Sequence, residues 1–542
     1  MNMRIKSKFG LQHVFRRNLF FVSLISLLLL VSLFSCTSSV GAVDLVETEV
    51  DLKNAISAAT DGVSTSIVLG KDIALTSPLS IPDHKNITLT SDGSNTFKLI
   101  GADEKNTLVV DAGGILVLNG VRVTHPSGVK GSGVYVASGG SLILVSGSIS
   151  DNADADGGGV VNYGNFTMSG GQVSSNAATE FVEDVGGGGV LNRGNFIMSG
   201  GEISNNNIFN GVYNFGNFTM SGGKILKNIG SGVFNSGNFI MSGGEISNNI
   251  ADSGGGVYIN SSFDDGGSFT MSGGMIYNNS AVDSGGGVHN VGGIFNLSDG
   301  IIANNTATTY GGGIYSTGSV VMSGGEISNN TSTVGGGVVN NLGNFTMTNG
   351  IFLNNAATSV GGGVYTYGGN FTMSGGKISN CTARHGGGIG VSSLNGLQYV
   401  YVNDAAFSNN RASVAYDRSS DHNELYNTRI SSSTWTSPFK QGYNNYDIHY
   451  TWGIELDADG NPVPTATAKP TNSASNSPSP TNTTPSSSKP TNPPTEPVTN
   501  ILRIIIVLVI VIGLVVALFV FYIPKRVEPK HAEEDLSDFT IV

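Results

Sequence analysis

Val233-Phe-Asn-Ser-Gly-Asn-Phe-Ile-Met241-Ser-Gly-Gly-Glu245-Ile-Ser-Asn-Asn249-Ile-Ala-Asp-Ser-Gly-Gly-Gly256 decides the fold, because at Val257 the same order of residue types begins again. Three short runs in the unit alternate apolar and polar residues, the period of a strand rather than a helix. Working outward, the Met slot recurs at Met168, Met198, Met220, Met241, Met271, Leu297, Met322, Met347 and Met373, nine units spaced 21–30 residues apart. Repeats of this length are built by stacking. A propeller blade needs about 40 residues, and the Leu/Asn signature of leucine-rich repeats is missing. Three strands in a turn of about 25 residues describe a parallel β-helix, whose coils lie ~4.8 Å apart.

Stacked coils turn repeated residues into columns. The reading places Phe166, Phe196, Phe218, Phe239, Phe269 and Phe295 in one inward column and Ile203, Ile225, Ile246, Ile276 and Ile302 in a second. Val190, Val212, Val233, Val257 and Val288 form a third. Asn206, Asn228, Asn249, Asn279, Asn305, Asn330 and Asn355, then Cys381 and Asn410, mark a bend. Asn suits it twice over, through its tolerance of left-handed backbone and through amide ladders. Cys381, in an Asn slot, reads as a packed thiol. No proline occurs between Pro126 and Pro438, as strands with two bonded neighbours require.

These residues resemble the right-handed parallel β-helix proteins of the pectate-lyase-like superfamily, and in particular the Gly-Gly-Gly-Val / Met-Ser-Gly-Gly / Ser-Asn-Asn repeats of microbial surface proteins. Phe352-Leu-Asn-Asn355 followed by Gly361-Gly-Gly-Val364 is also similar to the repeats of polymorphic outer-membrane proteins. The resemblance implies an all-β right-handed solenoid of about 12–13 coils over residues 43–410. It implies no particular activity.

The flanks extend this plan. Leu52, Ala55, Ile56 and Ala59 share one helical face, so residues 51–59 are expected to form a capping helix over the first coil. Residues 411–461 hold both tryptophans of the chain and have two readings, a C-terminal cap or a glycan-stacking surface built on Trp435 and Trp452. Residues 462–499 contain ten of the sixteen prolines amid Thr, Ser and Asn, the composition of a disordered stalk. Ile504–Ile523 is twenty residues without a charge, followed by Pro524, Lys525 and Arg526. That pattern predicts a transmembrane helix over 501–523 with residues 524–542 in the cytoplasm. Basic residues 1–17, an apolar run and Val40-Gly-Ala42 predict a signal peptide over 1–42. An uncleaved anchor and a lipoprotein signal at Cys36 are its alternatives. The expected location is the cell membrane, single-pass, with the bulk outside.

Composition narrows the function. Charged residues make up 12% of the chain, Gly accounts for 77 of 542 residues, and the net charge is −12. The acidity argues against nucleic-acid partners, and two cysteines make no disulfide framework. The partners to expect are the membrane and surface glycans or envelope components, with the chain a monomer. No catalytic constellation is visible, and no cofactor is implied apart from one candidate Ca²⁺ site. Asp252 and Asp283 both precede Ser-Gly-Gly-Gly and should stack on neighbouring coils. Asp264 and Asp265 come from an inserted loop nearby. Glu202, Lys224 and Glu245 read as a surface charge ladder rather than an acid–base pair. His289 takes a slot held elsewhere by Tyr213, Phe234, Tyr258, Tyr315 and Tyr365, an outward aromatic stripe. Tyr258 and Tyr315 in it are candidates for stacking on sugar rings, with cross-strand packing as the alternative. Asn-x-Ser/Thr acceptors such as Asn165, Asn278 and Asn370 would suit a glycoprotein. The expected function is a membrane-anchored, structural or adhesive surface rod. The alternative is a surface polysaccharide lyase or glycoside hydrolase.

Overall fold

The computed structural model describes residues 45–93, 95–155, 157–179, 186–261, 266–392, 399–413, 415–417, 430–434, 447–449 and 454–456. They form an all-β parallel solenoid of about 13 turns. The segments read as signal peptide, stalk, membrane span and tail lie outside the described residues. Among the described residues no helix is long and apolar enough to cross a membrane.

The chain closes each turn with a strand of the Phe-Met type, a strand of the Ile type and a strand of the Val type. The first two belong to one 27-stranded sheet and the third to a 14-stranded sheet. Register is strict: Phe218 pairs with Phe239, Ile225 with Ile246 and Val212 with Val233. The three columns are therefore continuous, and all of these side chains are buried. Phe166 to Phe295 stack ring on ring with centroids 4.6–4.8 Å apart and planes within 3–6° of parallel. Val320 ends that run, and the next pair, Phe345–Phe371, is tilted by 33°.

Packing explains the Met-Ser-Gly-Gly motif. The second Gly has positive φ, 81° at both Gly201 and Gly223. A Cβ there would lie 2.6 Å from Cε of Met168 or Met198 on the preceding coil. The motif thus joins a buried Met tip to the bare backbone above it. Where Leu297 replaces Met, a Cβ at the next such Gly, Gly325, would lie 3.2 Å from Leu297 Cδ1.

Two details depart from the sequence reading. The helix runs Glu49–Ala58, two residues earlier than the apolar face suggested, because Thr48 caps it by accepting from Asp51 N at 3.1 Å. It buries Leu52 and Ile56. A seven-stranded sheet from Ile250–Ser253 to Arg411–Ala412 adds a short fourth strand to the later coils. The shortest repeats leave room at that place for single bridges only, Ala177 to Asn207 and Ile229 to Ile250. Within residues 411–461, most of which lie outside the described residues, Ala415–Asp417 pairs antiparallel with Ile454–Leu456 and two further strands join the sheets. Ile430–Thr434 pairs in parallel with Val400–Ser408, and Ile448–His449 with Ile389–Val391.

Candidate functional site

The Asn bend divides its two tasks between neighbours. The left-handed residue is the first of each pair, as at Asn205, Asn248, Asn278 and Asn304 with φ of 54–56°. The second residue points inward and builds the ladder. Asn249 N and Nδ2 both donate to Asn279 Oδ1 at 3.0 Å, while Asn249 Nδ2 also donates to Ile225 O at 3.1 Å. The same geometry repeats from Asn152 to Asn355. At the first rung Asn152 Oδ1 lies 2.8 Å from His125 Nδ1, and at the last Asn410 Nδ2 donates to Asp447 Oδ1 at 2.9 Å.

His125 leads to a site that the repeats did not announce. A groove of about 540 Å³ opens on the N-terminal coils, lined by Lys98, Arg122, His125, Pro126, Val129 and Asp151 among others. The strands Lys98–Ile100 and Val121–Thr124 bury Leu99 and Val123, and strand alternation sends Lys98 and Arg122 outward as register partners. Asp151, in left-handed backbone at the corner of the following coil, forms an ion pair with Arg122. Lys98 Nζ lies 3.7 Å from Asp72 Oδ2. The facing wall is a tight turn, Val129 N donating to Pro126 O at 3.1 Å with Gly128 at φ 81°. His125 forms part of the lining, with Nε2 2.9 Å from Lys105 O. Both its ring nitrogens are engaged, so it is a structural residue rather than a free base.

The residues singled out from sequence are distributed elsewhere. Asp252 and Asp283 do lie on neighbouring coils, both exposed, at a register shift between Ala251 and Ser253. Asp283 Oδ2 accepts from Ser284 Oγ at 3.2 Å. Two carboxylates would supply only part of the six to eight oxygens Ca²⁺ takes. Among the described residues no group of three or more His, Cys, Asp or Glu is placed to hold a metal. Asp264 and Asp265 lie outside the described residues, as do Trp435 and Trp452.

Tyr258 and Tyr315 stand in the stripe with His289 between them, ring centroids 4.8 Å apart on each side. Phe234 stacks on the other side of Tyr258 at 4.8 Å. The faces of Tyr258 are thus occupied within the column, leaving its edge outward, and burial raises its phenol above the ordinary value. His289 is buried and its Nδ1 lies 3.1 Å from Ser284 Oγ. Burial pushes this imidazole down to about 4, against the hydrogen bond with Ser284 and the charge of Asp283.

The charge ladder has Glu202, Lys224 and Glu245 in register, with Lys224 Nζ 3.4 Å from Glu245 Oε2. Burial alone would raise Glu245. Hydrogen bonds from Tyr277 and Ser247, then Lys224, outweigh it and hold the carboxyl below its usual range. Cys381 is fully buried and burial pushes its thiol up to about 12, the behaviour of a packed group.

No protein-family model, curated protein or solved structure matches the chain. The parallel solenoid therefore stands on the geometry above, and membership of the pectate-lyase-like superfamily is not shown.

Proposed function

We propose that this chain is a membrane-anchored cell-surface rod with a structural or adhesive role, which binds glycans or envelope components through its solenoid. The observation that carries the reading is the continuous parallel winding of about 13 turns, followed in sequence by a Pro/Thr/Ser stretch and a charge-free run of twenty residues. A stiff cylinder, an extended spacer and a single span are the parts of a device that holds a surface away from a membrane.

Binding is favoured over hydrolysis by the groove itself. Asp151 is the only carboxylate among its described lining residues, whereas sugar hydrolysis uses two. A lyase acting on acidic polymers needs cations free to neutralise a sugar carboxylate, and here Arg122 and Lys98 each face an acid already. Intact cells expressing the full chain test the reading. External protease should remove the solenoid while a tag after Val542 stays protected. A solenoid protected in intact cells and cleaved only after lysis would overturn it.

A further inference from the structure

The groove on the N-terminal coils differs from the surface around it in three respects. It breaks the repeat, since the Pro126–Val129 turn replaces the left-handed corner residue that the later coils keep. Its volume, about 540 Å³, falls within the ~300–1,000 Å³ of small-molecule sites. Its charges are paired. Arg122 holds Asp151 within the lining and Lys98 faces Asp72 just outside it, so these four groups sum to zero.

That pairing selects the chemistry of a ligand. A carboxylate only accepts hydrogen bonds, and a guanidinium or ammonium only donates. An anionic ligand would have to pull Arg122 or Lys98 away from its acid. A ligand carrying adjacent hydroxyls would not, because each hydroxyl donates to the acid and accepts from the cation at once. Charge-assisted bonds of this kind are stronger than neutral ones. Ile100, Pro126, Val129 and Ala177 add apolar surface to the lining, suited to the C–H face of a ring.

We infer that this groove is a binding subsite for a neutral pyranose unit, with Arg122–Asp151 and Lys98 engaging its vicinal hydroxyls. This inference rests on the surface-binding reading and gives it a place and a ligand class.

The test uses the full-length chain in detergent and titration calorimetry. Maltose, cellobiose, lactose and N,N′-diacetylchitobiose serve as neutral probes, with digalacturonate and inorganic phosphate as anionic ones. At least one neutral disaccharide should bind, with an affinity unchanged between about 0.05 and 0.5 M NaCl, where exposed charge–charge attraction is screened. Arg122→Leu and Lys98→Met should each weaken that binding about tenfold or more, the loss expected for a hydrogen bond to a charged group. Lys377→Met, in the equivalent outward slot many coils away, should leave it unchanged. Circular dichroism checks that each variant folds, and Lys98→Met, at a 42% exposed side chain, carries the test if Arg122→Leu does not fold. The inference is overturned if no neutral probe binds, if an anion binds best with salt-sensitive affinity, or if both groove variants bind like the parent. A chain that is accessible on intact cells yet binds no probe would sink the groove alone. A chain protected in intact cells would sink the surface reading.

Discussion

Two columns of amides run inside this solenoid, and they differ in completeness. The corner column is bonded rung to rung from Asn152 to Asn355. The column at the end of the Val strands is broken. Asn162, Asn192, Asn214 and Asn235 form one run, each Nδ2 donating to the next Oδ1 at 2.7 Å. Ile259 then interrupts, and Asn290–Ser316 and Asn340–Thr366 make two short pairs. Buried Asn162, Asn290 and Asn340 each have an Oδ1 without a partner. Those are the first members of the three runs, and the residues before them are Val136, Ile259 and Ser316. A ladder of amides has a direction, and each interruption leaves an acceptor unpaired at the start of the next run. The corner column, interrupted at Cys381, avoids this because the Cys381 backbone N still donates to Asn410 Oδ1, while His125 stands before its first rung and Asp447 after its last.

The largest effect should come from breaking the corner column. Asn279→Leu keeps the size and removes the amide. Asn305 Oδ1 then keeps the backbone N of residue 279 and loses only the side-chain donor, while Asn249 N loses its acceptor and Asn249 Nδ2 keeps only Ile225 O. Buried unpaired N–H groups cost about 1–3 kcal/mol each, so the two on Asn249 give an expected loss of about 2–6 kcal/mol, read from the urea unfolding midpoint. Unchanged stability would show that the ladder contributes nothing net.

Acid should act on the broken column. His289 lies beside Asn290, whose carbonyl is already an orphan, and its buried ring titrates near 4 against about 6.5 when unfolded. The folded value is the lower one, so below pH 6.5 the unfolded chain takes the proton first. Stability is complete above pH 6.5 and falls as pH drops towards 4, by about 3 kcal/mol in all. His289→Tyr, which restores the residue type of the neighbouring coils, should remove that part of the acid sensitivity. Unfolding midpoints of both chains at pH 7.5 and 4 give the comparison, since the carboxylates titrate alike in each. Equal losses would rule His289 out as their source.

A matched substitution in the broken column sharpens the contrast. Asn162→Leu deletes an existing orphan and creates one at Asn192 Oδ1, so the defect moves one coil along. The expected cost is about 1 kcal/mol, the net worth of the lost donor bonds, well below that of Asn279→Leu. Equal costs at the two positions would mean that column continuity is irrelevant.

How much of this was legible follows from what a repeat reveals. Phe239, Ile246 and Val257 declared their columns because burial selects one residue type at one spacing. The Asn corner was legible as a position, but its two tasks fell on Asn205 and Asn206 separately, and adjacent identical residues hide such a split. The Val-face amides go unmarked in the sequence, since only register shows that Asn192 and Asn214 stack. The groove was illegible for a related reason. Lys98, Arg122, His125 and Asp151 belong to coils without the glycine motif, so nothing in their spacing places them together. The short strands of the seven-stranded sheet leave no mark in the sequence because Ala, Ser and Thr carry no apolar alternation.

Cys381 tests the smallest term. It occupies a rung of the corner column, where Asn355 Nδ2 reaches only its sulfur, at 4.0 Å, and its thiol turns back to Ser379 O at 3.4 Å. Its backbone N already donates to Asn410 Oδ1 at 3.1 Å, as every other rung does. Room for an amide is present, because Gly363 faces this rung as Gly313 faces Asn330. Cys381→Asn should therefore join the run ending at Asn355 to the pair Asn410–Asp447. The change replaces one weak sulfur contact by ordinary amide bonds, for a gain of about 0.5–1.5 kcal/mol in unfolding free energy. Cys381→Ser, which offers an oxygen too short to span the coil spacing, should give less. A lowered midpoint for Cys381→Asn would mean that sulfur packing outweighs ladder continuity at this rung, and that the column is held by its coils rather than by its amides.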